Sequence, residues 1–191
     1  MKASKLISVL FNVVLLNTCL LNQFVNAKNN ESQYISLESH VHGLSEITMV
    51  IEDGQLNIQL TSPMVNLTGF EHVASSKKEI EIVNNTKALL GNVALLFSLS
   101  GGDCSLVNME IDVSGLTKHG AHSESEVSHE NHHSQVIANY RYHCEEESRL
   151  SAIDVQIFDL FSGVNKIHAV WITDSKQGAV TLNAESSEIR L

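Results

Sequence analysis

Basic residues are scarce in this chain of 191 residues, which has 12 lysines and arginines against 22 aspartates and glutamates. An acidic protein repels nucleic acid and anionic membrane surfaces, and it attracts cations. The charge balance therefore speaks against a nucleic-acid partner. It favours a cationic partner such as a metal ion.

Motifs of common enzyme classes are also missing. The sequence has no nucleophile elbow, phosphate-binding loop, C-x-x-C pair or H-E-x-x-H zinc motif. A zinc-dependent hydrolase stays open as an alternative, because two histidines and a third ligand can hold a catalytic zinc with one open coordination position. No residue, however, is identified as its general base.

Long apolar runs are confined to the N-terminus, where residues 6–21 are mostly apolar and follow Lys2 and Lys5. The run is short for a membrane span and no stop-transfer cluster follows it. We therefore predict a cleaved secretory signal peptide over residues 1–27, with an uncleaved anchor as the alternative. Cleavage leaves one domain, residues 28–191, without membrane insertion and with 10 basic against 22 acidic residues, a net charge of −12.

Cysteine is rare, and only Cys104 and Cys144 remain after the signal peptide is removed. An even pair in an oxidising compartment predicts a disulfide bond. The absence of C-x-x-C spacing speaks against the alternative, a thiolate metal site. A disulfide that closes a loop of about 40 residues stabilises a fold by roughly 4 kcal/mol in the chain-entropy model.

The clearest local structure is a β-hairpin in the stretch ITMVIEDGQLNIQL, residues 47–60. Asp53-Gly54 suits a type I′ turn, which needs positive φ at both central positions. This turn places three apolar pairs on one face: Ile51/Leu56, Met49/Ile58 and Ile47/Leu60. If the first strand continues towards the N-terminus, Val41 joins that core face, and His40 and His42 share the polar face.

The remaining pattern predicts an α+β domain built on an antiparallel sheet with one main helix, one disulfide and a His-rich exposed loop. The helix is expected near residues 73–90, with Val73, Ile80, Val83 and Leu90 on its apolar stripe and Gly91 as its stop. Residues 153–161 fit either a strand or a buried helix. Further strands are expected at 104–113, 136–144, 167–172, 179–182 and 189–191, and the loop at 115–135.

The loop contains the stretch HGAHSESEVSHENHH, with five histidines interleaved with glutamates. Imidazole nitrogen binds Zn, Cu and Ni, and the sequence does not choose among them. A flexible chain must lose conformational entropy to close around a metal, so we expect weak and unselective sites here. The alternative is a solvated linker. The candidate ligands of the loop are His119, His122, His129, His132 and His133.

A second candidate site begins with His40 and His42, because residues two apart on a strand project the same way. His72 is the leading third ligand, and Glu71 or Glu38 is a candidate fourth ligand or outer partner. His143 is a candidate for either site. His168 lies in an apolar strand and is interpreted as structural.

Four sequence features occur in the order found in one family: HVHG at 40–43, EDGQL in the hairpin, SPMVNLTGFEH at 62–72 and Y-x-Y-x-C at 140–144. In these features, and in a His-rich insert, the chain resembles the ZrgA-type zinc uptake proteins, periplasmic proteins of Gram-negative bacteria. Two departures stand out. Ser162-Gly163 replaces the usual Pro-Gly, and the insert is short.

The resemblance implies a periplasmic zinc-binding accessory protein that supports an ABC importer and is not an enzyme. The positions that match its motifs are His40, His42 and His72, together with the five insert histidines. A metal buffer or resistance protein is the first alternative, and a zinc-dependent hydrolase is the second.

Overall fold

The structure of the protein is a computed structural model that describes residues 41–116 and 135–191. The signal peptide, His40, Glu38 and the insert histidines lie outside these residues, so the predictions for them stay predictions. No helix in the two described ranges is long and apolar enough to cross a membrane.

The two described ranges contain nine strands and three α-helices, besides three short 3-10 helices. The strands are β1 (Leu44–Glu52), β2 (Gln55–Pro63), β3 (Phe97–Ser100), β4 (Cys104–Asp112), β5 (Gln135–Cys144), β6 (Ala152–Val155), β7 (Lys166–Thr173), β8 (Gln177–Leu182) and β9 (Glu188–Arg190). The helices are α1 (Met64–Thr68), α2 (Lys77–Gly91) and α3 (Ile157–Leu160).

Six strands form the main sheet in the order β4-β5-β2-β1-β7-β8, and β3, β6 and β9 form a second sheet. The prediction of a β-rich domain with few helices and one disulfide is confirmed. The expectation of a purely antiparallel sheet is wrong, because β1 and β7 pair in parallel. Such a long-range pairing leaves no local signal in either strand.

The hairpin is confirmed pair by pair. Ile47, Met49 and Ile51 lie opposite Leu60, Ile58 and Leu56. Asp53 and Gly54 have φ values of 51° and 73°, as a type I′ turn requires. The alternation of apolar and polar residues on both strands therefore fixed the register correctly.

The core lies between the main sheet, α2 and the second sheet, and Tyr140 on β5 touches all three. Its hydroxyl donates a hydrogen bond to the carbonyl of Leu90 over 2.9 Å, and its ring meets Phe97 edge-on at 5.4 Å. Burial raises the pKa of the Tyr140 phenol above its usual range. Complete burial of one large apolar side chain contributes about 1.5–3 kcal/mol, so the buried side chains of this core stabilise the domain.

Helix α2 begins later than expected, at Lys77 instead of residue 73. Ser76 accepts a hydrogen bond from the backbone N–H of Glu79 and thereby caps the helix, which leaves Val73 in the preceding loop. Val83 and Leu90 are buried as predicted, but Ile80 is 44% exposed, so its place on the apolar stripe was wrong.

The C-terminal third follows the sequence pattern closely. Residues 153–161 contain both alternatives in turn, strand β6 and then helix α3. Strands β7 and β8 form the expected antiparallel pair. The terminal strand is present as β9, and it pairs with β6 in the second sheet.

Cys104 and Cys144 lie opposite each other on β4 and β5 and form the predicted disulfide bond. The strand directions place Leu44, Pro63, Asp112 and Gln135 at one end of the main sheet, which we call the insert end. The disulfide lies at the other end, which we call the disulfide end.

Candidate metal site

The turn that carries His42 precedes β1 instead of extending it. Gly43 has a φ of 82°, and the N–H of Leu44 donates to the carbonyl of Val41 over 3.0 Å, which closes a tight turn. Val41 is 56% exposed, so its predicted place on the core face was wrong. A left-handed glycine ends the extended backbone, and His42 therefore projects from a turn at the insert end.

Asn66 on α1 holds this turn in place. Its side-chain oxygen accepts from the N–H of Gly43 over 2.8 Å, and its amide nitrogen donates to the carbonyl of Leu44 over 2.9 Å. The residue is only 4% exposed. The N–H of Gly43 and the carbonyl of Leu44 are thus both paired with one buried side chain. This pairing fixes the position of the His42 backbone.

A third segment, residues 163–166, packs against the same turn. The carbonyl of Gly43 accepts from the backbone N–H groups of Asn165 and Lys166 over 2.8 and 2.9 Å. A Cβ atom added to Gly163 would lie 2.4 Å from the carbonyl oxygen of Asn66, so only glycine fits there. The glycine of the Ser162-Gly163 pair therefore has a packing role, whatever residue precedes it.

Glu71 is the side chain that contacts His42. Helix α1 ends at Thr68 and is capped by Gly69, which has a φ of 84°. The chain then passes through Phe70, Glu71 and His72. The Nε2 atom of His42 lies 2.5 Å from Oε1 of Glu71, and the two side chains are 67% and 51% exposed. The HVHG and GFEH motifs, 29 residues apart, are therefore in direct contact.

His72 contacts a different carboxylate. Its Nε2 atom lies 3.0 Å from Oε1 of Glu79 in the first turn of α2, and its ring centroid lies 5.1 Å from that of Phe70. The other oxygen of Glu79 accepts from the backbone N–H groups of Ser75 and Ser76, each over 2.9 Å. These backbone hydrogen bonds, Ser76 first and Ser75 second, and then His72, hold the pKa of Glu79 well below its usual range.

The described residues that flank the insert lie at the insert end of the main sheet. The carbonyl of Leu116, the last described residue before the insert, accepts from the N–H of Ala74 over 2.9 Å. Leu116 is completely buried. Gln135, the first described residue after the insert, pairs with Pro63. Both anchor points therefore lie at the insert end of the sheet, and the first is hydrogen-bonded to the residue two positions after His72.

The two remaining described histidines are not part of this group. His143 is exposed on β5 and pairs with Gln55, which places it at the disulfide end. His168 lies on β7, in the strand expected there, and its side chain is exposed, and its interpretation as structural stays a prediction. Within residues 41–116 and 135–191, no three histidine, cysteine or acidic side chains come close enough together to hold a metal ion.

Sequence reasoning missed two residues of this region, Glu79 and Asn66. The pattern S-x-x-E at residues 76–79 is the signature of a capping box, so it could have identified Glu79. Asn66 had no comparable signal, because its partners are backbone groups 22 and 23 residues away.

The fold and the site define a disulfide-bonded β domain that presents imidazole and carboxylate groups at one end of its main sheet. A family model described as ZrgA family zinc uptake protein matches residues 39–191. The chain belongs to this family, and its function is related to zinc uptake. A search of curated proteins finds no match to this chain.

Proposed function

We propose that this protein is a periplasmic zinc-binding protein that captures zinc and supports its uptake by an ABC importer. The observation that carries the proposal is the convergence at the insert end. His42, Glu71 and His72 come from two separate motifs, and the root of the His-rich insert is hydrogen-bonded two residues beyond His72. Membership of a zinc uptake family supports the same function.

We propose His40, His42 and His72 as the ligands of the principal site, with Glu71 as a fourth ligand or an outer partner. Because no three of the described side chains lie close enough together to hold a metal ion, zinc binding must bring His42, Glu71 and His72 closer to one another. Zinc takes four ligands of this kind in tetrahedral geometry. His40 is two residues from His42 and so lies within about 7 Å of it along the chain. The His42–Glu71 contact supports a shared site, because it joins the two motifs.

The insert histidines act as a collecting region: His119, His122, His129, His132 and His133. His119 follows Leu116 by three residues, so its Cα atom lies within about 11 Å of that anchor. Zinc caught there has a high effective concentration at the principal site. The net charge of the full chain, −10, also attracts the cation.

Ligand chemistry provides a route for release. Imidazole binds zinc only in its neutral form, so the affinity of a histidine site falls as the pH drops through the range near about 6.5 in which histidines ordinarily protonate. Zinc transfer to an importer component at constant pH instead requires a partner that binds zinc more tightly.

A comparison of cells with and without this protein tests the proposal. Under zinc limitation, we expect cells that lack the gene to accumulate less zinc, and the parent gene to restore it. We expect the His40→Ala/His42→Ala variant not to restore it. The His143→Ala/His168→Ala variant is the matched control, because it removes two exposed histidines that are not in contact with either motif.

Other outcomes would contradict the proposal. A buffer or resistance protein would be induced by excess zinc, and its loss would make cells sensitive to that excess. A zinc enzyme would show a turnover that a chelator removes. Equal zinc accumulation in cells with and without the gene under limitation would rule out a role in uptake.

A further inference from the structure

Two carboxylates contact the two described motif histidines, but they are held differently. Glu71 is 51% exposed, and its one hydrogen bond within the described residues is to His42. The side chain of Glu79 is 24% exposed, and Oε2 accepts from the N–H groups of Ser75 and Ser76. Glu71 can therefore rotate away from its histidine, whereas Glu79 is fixed by the start of α2.

The fixed carboxylate determines which nitrogen of His72 carries a proton. Oε1 of Glu79 lies 3.0 Å from Nε2 of His72. A carboxylate oxygen only accepts hydrogen bonds, so Nε2 must donate and the neutral ring keeps its lone pair on Nδ1. The contact between the rings of Phe70 and His72, with centroids 5.1 Å apart, limits the other movements of the imidazole.

We propose that Glu79 is a positioning residue that orients His72 so that Nδ1 is the nitrogen that binds zinc. The inference rests on the proposed function, since it requires His72 to be a zinc ligand. A histidine ligand commonly donates its second N–H to a carboxylate, which fixes the ring and strengthens the metal bond. Here the capping box of α2 supplies that carboxylate and holds it against His72.

The Glu79→Gln variant separates the two roles of this residue. Glutamine also occurs at the N3 position of capping boxes, where Glu79 stands, so its oxygen can still accept from the backbone N–H of Ser76. Its NH₂ group then faces His72 and cannot accept from Nε2. We expect zinc affinity, measured by competition with a chelator, to fall about 10- to 100-fold. The melting temperature of the zinc-free protein should change by only a few degrees.

The matched control is Glu81→Gln, which removes the same charge from an exposed position two residues further along α2. We expect this variant to bind zinc as the parent does. In a His72→Ala background, Glu79→Gln should cause no additional loss, because Glu79 acts through His72. In nitrogen-15 NMR spectra of the imidazoles, zinc should shift Nδ1 of His72 and leave the proton on Nε2.

Several results would overturn the inference. Parent-like zinc affinity in Glu79→Gln, an equal loss in the His72→Ala background, or a zinc-dependent shift at Nε2 would each contradict it. If His72→Ala weakens binding while Glu79→Gln does not, the inference fails and the proposed site stands. If His72→Ala leaves zinc affinity unchanged, the inference and this part of the proposed site fail together.

Discussion

Asn66 shows how one buried amide sets the geometry of an exposed site. Both of its polar groups pair with the backbone of the His42 turn, at Gly43 and Leu44. A hydrogen bond contributes only about 0.5–1.5 kcal/mol net, but an unpaired buried group costs about 1–3 kcal/mol. The turn therefore depends more on the completeness of this pairing than on the strength of either bond.

Replacement of Asn66 by alanine should leave the N–H of Gly43 and the carbonyl of Leu44 without their side-chain partner. We expect the free energy of unfolding to fall by about 2 kcal/mol, measured by urea denaturation. Zinc affinity should fall as well, because His42 loses its fixed position. Asn139→Ala is a suitable control, since Asn139 bonds to Gln59 on the exposed face of the sheet. Equal unfolding curves for the two variants would show that the hydrogen bonds of Asn66 to the His42 turn do not stabilise the fold.

At the scale of elements, sequence patterns predicted the strands and turns that depend on neighbouring residues. Alternating residues and an Asp-Gly turn defined β1 and β2, and the pair was confirmed. The extension of β1 through residues 41 and 42 was wrong because Gly43 adopts a left-handed conformation that alternation does not reveal. Helix α2 was placed four residues early because the apolar Val73 suited the pattern, while the actual start depends on the cap at Ser76.

Glu79, in the first turn of α2, should make the stability of the fold depend on pH. The folded-state pKa of Glu79 lies below its value in the unfolded chain. Its contribution to stability is therefore complete above the unfolded value, near about 4.3, and is lost as the pH falls below that value towards the folded-state pKa. We expect the melting temperature of the zinc-free parent to fall more between pH 6 and pH 3 than that of Glu79→Gln. Parallel pH profiles for the two proteins would contradict this assignment.

The disulfide should stabilise the fold without shaping the site. Cys104 and Cys144 pair at the end of β4 and β5 that is opposite to the insert. We expect the double alanine variant to lose up to about 4 kcal/mol of unfolding free energy, because the unfolded chain is no longer cross-linked. Zinc affinity under conditions where this variant is folded should match that of the parent. A large loss of affinity in the folded variant would mean that the two ends of the sheet are coupled.

At the scale of the whole molecule, topology places His42, Glu71 and His72 at one end of the main sheet. The sequence predicted the strands but not their order, and it gave no sign that β1 lies beside β7, about 120 residues later in the chain. The order matters for function because β1, β2, β4 and β5 bring the His42 turn, the GFEH motif and both anchors of the insert to the same end. The ligand set itself was suggested only by the motifs.

Replacement of residues 119–133 by a short Gly-Ser linker tests whether the insert is separable from the fold. Leu116 stays in place and keeps its hydrogen bond to Ala74. We expect an unchanged circular dichroism spectrum, the loss of weak zinc sites and slower loading of the tight site. Loss of secondary structure, or of tight binding, would show that the insert is more than a collecting region.

The most direct test of the account is a zinc titration of the purified protein against a chelator of known affinity. The parent is measured beside His40→Ala/His42→Ala and the control His143→Ala/His168→Ala. We expect the tight phase to disappear in the first variant, weak binding by the insert to survive there, and the control to match the parent. If His40→Ala/His42→Ala binds zinc as tightly as the parent, the principal site is not at the His42 turn and the account is contradicted.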